Sequence, residues 1–163
     1  MGFSSSNVSN NILKRAFDED VTVTPMKLQK ILYFVASEYA KETGKPLFDE
    51  PFRAWQYGPV LRSVYDEFRT YGGSPIRKFA KDAEGKAYRV SEKSNPALKN
   101  AIDRVWEKTA TRSAVDLSRI THNKGSAWSK TYTSRLSDYI EDDLIRDDTT
   151  YERDLRLSPK AER

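Results

Sequence analysis

Few residues in this chain are equipped for chemistry. His122 is its sole histidine, and it contains no cysteine. His122 lies in Ile120-Thr121-His122-Asn123-Lys124-Gly125-Ser126-Ala127-Trp128, at the expected end of a helix. As a catalytic base it would need a nucleophile to activate and a third group to orient its ring. Ser118 and Ser126 are near in sequence, but no nucleophile-elbow pattern surrounds either. A zinc site would need several His, Cys or carboxylate ligands, which a lone histidine does not supply. The role that fits is structural: a ring that caps a helix end and packs near Trp128.

Two other groups suit recognition better than catalysis. Lys27 and Lys30 sit about one helical turn apart, so their ammonium groups project from one side of a helix. They either snorkel beside an apolar stripe or anchor carboxylates, within the domain or on a partner. The aromatic run Phe52-Arg53-Ala54-Trp55-Gln56-Tyr57-Gly58-Pro59-Val60, with Arg62 just beyond, has the aromatic-plus-arginine character of a stacking platform. Burial is the simpler reading, with Trp55 and Tyr57 wedged between helices and Gly58 allowing a tight turn. Walker-type loops, GxGxxG, and zinc-finger, RRM and KH signatures are absent.

The elements that would position these groups are mainly helical. A short helix is expected over Asn11 to Phe17. Thr24-Pro25 supplies an N-cap followed by Pro at the first helical position, and Leu28, Ile31, Leu32, Val35 and Tyr39 form an apolar stripe that ends at Gly44. Lys27, Lys30, Glu38 and Lys41 lie off that stripe. Gly58-Pro59 opens a helix through Val60, Leu61, Val64, Tyr65 and Phe68. Ile76 to Ala80 and Ala87 to Ser91 read as paired strands around Asp82-Ala83-Glu84-Gly85. Asn95-Pro96 starts a helix bearing Leu98, Ile102, Val105 and Trp106. Another covers Ser113 to Thr121, with Val115, Leu117 and Ile120 inward. A last helix runs from Asp142 or Asp143 toward Leu155, its acidic first turn complementing the helix dipole.

Bulk properties narrow the class. The chain has 163 residues, enough for one domain with a real core. The net charge is +4 and the pI about 9.2. Arg77, Lys78, Lys81, Lys86, Arg89 and Lys93 make the middle basic, and Glu141, Asp142, Asp143, Asp147 and Asp148 form an acidic stretch. Both read most simply as solvated faces. No stretch approaches the roughly 20 apolar residues of a membrane span, and no secretory signal is evident. A cytoplasmic, α+β, mostly helical single domain with a small β-hairpin or short sheet is expected.

The order and spacing of three motifs carry a resemblance. Lys27-Leu28-Gln29-Lys30 to Tyr33 is followed by Phe52 to Val60, with Tyr65, Phe68 and Gly72 beyond it. Leu117, Thr121-His122 and Ala127-Trp128 complete the set. Together they resemble the Panacea domain of SocA-like and GepA-like phage-associated antitoxins, from about Thr24 to Trp128 with a weaker echo to about Leu155. The expected division is an N-terminal segment over 1–23, the antitoxin domain over 24–157 and a tail over 158–163.

The resemblance implies a bacterial or prophage antitoxin of a type II toxin–antitoxin system, encoded beside its toxin and neutralising it by direct binding. It implies neither catalysis nor a cofactor. A homodimer or a heterotetramer with the toxin is the kind of assembly it allows, and neither a membrane nor a nucleic acid is an expected partner. A proteolysis adaptor delivering the toxin to a ClpXP-type protease is the alternative of the same class. A small nucleic-acid-binding regulator using the basic middle is the alternative of another. Leu28, Tyr33, Trp55, Tyr57, Gly58, Pro59, His122 and Trp128 are expected to be structural. Lys27, Lys30, Arg62, Asp142, Asp143, Asp147 and Asp148 are the expected partner contacts.

Overall fold

The computed structural model describes residues 2–157. Its elements are α1 (Ser5–Asp18), α2 (Pro25–Thr43), β1 (Arg53–Trp55), β2 (Gly58–Val60), α3 (Arg62–Phe68), α4 (Pro96–Thr109), α5 (Ala114–Thr121), α6 (Ala127–Ser134) and α7 (Asp142–Asp147). A 3-10 turn, Arg69–Tyr71, extends α3. The architecture is α+β, helical apart from one antiparallel hairpin. Among the described residues no helix is long and apolar enough to cross a membrane.

Everything is arranged around α2. Thr24 caps its start by accepting the Lys27 N–H at 3.3 Å, and Gly44 ends it in the left-handed conformation with φ 74°. The helix packs against α1, α3, α4, α5, α7 and β2. It is therefore buried on every side, and the polar residues expected off its stripe are enclosed with the rest. Lys27, Gln29, Lys30, Ser37 and Glu38 are all buried. A helix enclosed this way normally reads apolar all round; α2 instead pairs each buried polar group. Glu38 accepts from the Arg104 guanidinium at 2.7 Å and from the Tyr151 hydroxyl, and Ser37 donates to the Ile145 carbonyl at 2.6 Å.

Several expected elements fall elsewhere. The first helix begins at Ser5, capped by Ser4, and adds Val8, Ile12, Leu13 and Ala16 to the common core. Gly58-Pro59 does not open a helix. It is strand β2, paired as Arg53↔Val60, Ala54↔Pro59 and Trp55↔Gly58, and α3 starts at Arg62. Proline is tolerated there because an edge strand need not donate its N–H.

The hairpin expected at 76–91 keeps its Asp82 turn, with Gly85 N–H on the Asp82 carbonyl at 3.0 Å, but forms no strands. Side chains of α1 take the place of a strand partner. The Asn10 amide accepts the Ala80 N–H at 2.7 Å and donates to the Ala80 and Tyr88 carbonyls. Asn11 accepts the Val90 N–H and donates to its carbonyl, both at 2.9 Å. Asn95 occupies the cap position of α4, but its side chain donates backward to the Ser91 carbonyl instead of capping. Val115 points outward and is 76% exposed, whereas Leu117 and Ile120 face the core. Helix α7 stops at Asp147, and turns carry the chain to a buried Leu155. The tail expected after Leu157 lies outside the described residues.

Candidate partner-binding site

The three sequence motifs meet on one object, the β1–β2 hairpin and the residue after it. Gln29 grips Leu61 from both sides: its amide donates to the Leu61 carbonyl at 3.0 Å and its oxygen accepts the Leu61 N–H at 2.9 Å. The Lys30 ammonium donates to the Pro59 carbonyl at 3.2 Å. From α5, Ser118 Oγ donates to the Tyr57 carbonyl at 2.6 Å, and His122 Nε2 lies 3.0 Å from the Gln56 carbonyl. From α6, the Trp128 indole donates to the Trp55 carbonyl at 2.6 Å.

Side chains thus hold the carbonyls of residues 55, 56, 57, 59 and 61, groups that a short hairpin pressed on helices would otherwise leave without partners. Gly58 completes the fit. Its φ is +116°, and a Cβ there would sit 2.7 Å from Thr121 Oγ1 and 3.0 Å from the end of Lys30.

His122 is the C-cap of α5, with Nδ1 2.5 Å from the Ser118 carbonyl and its ring 3.9 Å from that of Trp128. Trp128 in turn stacks on Tyr132 at 4.5 Å. The surroundings of His122 are therefore carbonyls and rings. Among the described residues no group of three or more His, Cys, Asp or Glu is placed to hold a metal ion.

The clamp presents side chains outward. Tyr57 is 61% exposed and Tyr65 42%, so neither is enclosed as expected. Trp55 is half-buried, its ring edge-on to Tyr65 at 5.0 Å with the Arg62 guanidinium 5.9 Å above it. Between these rings and the first turns of α2 lies a groove of about 270 Å³, with Met26, Gln29 and Lys30 on one side and Arg69 at its rim. Lys30 is nearly fully buried there, and burial pushes its ammonium down to about 7.

The groove thus gathers Lys30, Trp55 and Tyr57, with Arg62 beside it over the Trp55 ring. The other expected contacts lie apart from it. Lys27 turns inward and donates to the Ala110 carbonyl at 2.6 Å. Asp142, Asp143 and Asp147 are exposed on α7, which packs beside Ser37, in the later turns of α2. Asp148 is buried: it accepts from the Tyr33 hydroxyl, the Ala127 N–H at 3.3 Å and Thr150 Oγ1 at 2.6 Å. It fixes α2 to α6 and is withdrawn from any surface. Burial first, then the Asp148 charge, raises the Tyr33 hydroxyl well above its usual range.

Sequence reasoning missed Gln29, Ser118, Tyr65 and Arg69. Gln29 carried a signal, since it lies four residues before Tyr33 and so shares its inward face. Ser118 and His122 have the same spacing.

The hairpin and α3 thus display aromatic rings with cations beside them. Residues 28–129 match the model for the antitoxin SocA-like, Panacea domain, and the chain belongs to that family. It is 32% identical over 124 residues to antitoxin SocA of Caulobacter vibrioides (strain NA1000 / CB15N). That similarity spans 74% of this chain and 66% of the relative, just under two thirds of the latter's length. No solved structure matched the chain.

Proposed function

We propose that this chain is an antitoxin that neutralises its toxin by direct protein–protein binding, as one half of a type II system, without catalysis or a cofactor. Membership of the SocA-like antitoxin family supports the toxin as partner. One structural observation supports the direct mode: side-chain hydrogen bonds from three helices hold a hairpin whose Tyr57 is exposed near Tyr65, with Trp55 half-buried against Tyr65. Rings fixed before binding lose little freedom on association, which favours a stable complex. Trp, Tyr and Arg are also the residue types in which interface energy concentrates. On this reading Lys30 belongs to the groove floor and Arg62 to its rim, whereas the exposed carboxylates Asp142, Asp143 and Asp147 form a separate, acidic contact.

The test is co-expression with the product of the adjacent gene in cells that have or lack ClpXP. Direct neutralisation restores growth in both and yields a complex that survives purification. Growth restored only where ClpXP is present would make the chain a proteolysis adaptor instead.

A further inference from the structure

The groove between α2 and the hairpin is lopsided in its chemistry. Its lining joins aromatic rings to the Arg69 guanidinium and the buried Lys30 amine, and includes no carboxylate among the described residues. Arg62 adds a guanidinium beside the groove, over the Trp55 ring, where it also pairs with Asp66 at 3.2 Å. Arg69 is exposed and has no salt bridge among the described residues.

Size and geometry narrow the occupant. The volume, about 270 Å³, is at the small end of the roughly 300–1,000 Å³ of pockets that enclose small molecules. It suits one or two side chains. A run of stacked bases would need open ring faces, yet Trp55 has Arg62 above its ring and Tyr65 edge-on to it. What remains is an apolar side chain with negative charge beside it, since opposite potentials across an interface steer the encounter and fix its register.

We propose that this groove is the docking site for one segment of the toxin, a large apolar side chain flanked by Asp or Glu, with the side chain against Trp55, Tyr57 and Tyr65 and the carboxylate on Arg69. The proposal rests on the direct-binding reading above and adds the chemistry of the segment that is bound.

Random peptides displayed on phage and selected on the full chain test this without the toxin in hand. The expected winners carry an aromatic or large aliphatic residue next to Asp or Glu. Made as a free peptide, a winner should shift the Trp55 indole N–H signal in a nitrogen-15 NMR spectrum. Arg69→Glu should weaken it about tenfold or more, and exchanging its acidic residue for Lys should restore binding to that variant. Because Arg69 is exposed, Arg69→Glu should melt like the wild type.

The proposal is overturned by no enrichment, by winners lacking acidic residues, by a Trp55 signal that does not move, or by indifference to Arg69→Glu. Arg69-dependent binding of a single-stranded RNA oligonucleotide in place of peptide would reassign the groove to nucleic acid. A toxin complex that survives both Arg69→Glu and Tyr57→Ala would leave direct neutralisation standing and remove the groove from it. Failure of the wild type to bind the toxin at all would end the direct-binding reading, whereas the peptide selection is judged by its own outcomes.

Discussion

Lys30 shows how one side chain can join fold and surface. It reaches across to the Pro59 carbonyl while lining the groove, at the cost of burying an ammonium. Its folded pKa of about 7 lies below the 10.5 of the unfolded chain. Between those values the unfolded chain holds the proton that the folded chain has released. Stability therefore rises with pH across that window, by at most about 1.4 kcal/mol per unit. Lys30→Met removes this dependence. Urea melts of the two proteins from pH 7 to about pH 9.5, below the ionisation of unfolded tyrosine, should show the wild type gaining on the variant as pH rises. A gap that stays constant would mean that Lys30 is charged throughout or is not enclosed.

At the scale of elements, what the sequence revealed and what it hid have separate causes. Helix α2 was legible because its signals are local: a Thr-Pro start, an apolar period and a Gly stop. The extended run into Tyr57 was legible, but the turn and the second strand of the β1–β2 hairpin were hidden because the turn lacks the usual glycine signal. Neither Gln56 nor Tyr57 takes a positive φ; Gly58, the residue after them, does. The false hairpin at 76–91 had the right alternation, but its polar backbone is held by Asn10 and Asn11, some 70–80 residues away in sequence. No local pattern reports a partner so remote.

Asn10→Ala should therefore release this segment. Losing that amide leaves buried groups without partners and costs about 1–3 kcal/mol. Hydrogen exchange should speed up at Ala80 more than in α2, and uniform protection would count against the clamp. Helix α7 was read correctly at its start but not in its reach, and that distinction divides the acidic stretch. Changing Asp142, Asp143 and Asp147 to Asn should slow association with a basic toxin surface and flatten its salt dependence while leaving the fold intact. Asp148→Asn should instead lower the melting temperature, because it weakens the link to Tyr33. Equal effects from the exposed set and the buried residue would contradict the division.

Over the whole molecule, the motifs that carry the resemblance are the parts of one clamp. Gln29 and Lys30 from α2, Ser118 and His122 from α5, and Trp128 from α6 converge on residues 55–61, beside the rings proposed above to meet the partner. That convergence explains why segments a hundred residues apart occur together in one sequence: each is useful only if the others hold the same hairpin.

Which ring faces outward was not legible, because Trp55, Tyr57 and Tyr65 are equally apolar as letters. Position in the fold decides it: Tyr57 sits in the hairpin turn and is exposed, Trp55 ends β1 and is half-buried, and Tyr65 stands on the outer side of α3. We propose that this displayed face binds the toxin. Calorimetric titration of purified toxin into the wild type, Tyr57→Ala and Tyr65→Ala tests it most directly, with thermal melts run alongside. Tyr57→Ala should melt like the wild type, and each exposed ring removed should cost about 2 kcal/mol or more of affinity. Wild-type affinity in both variants, with both folded, would contradict the proposal.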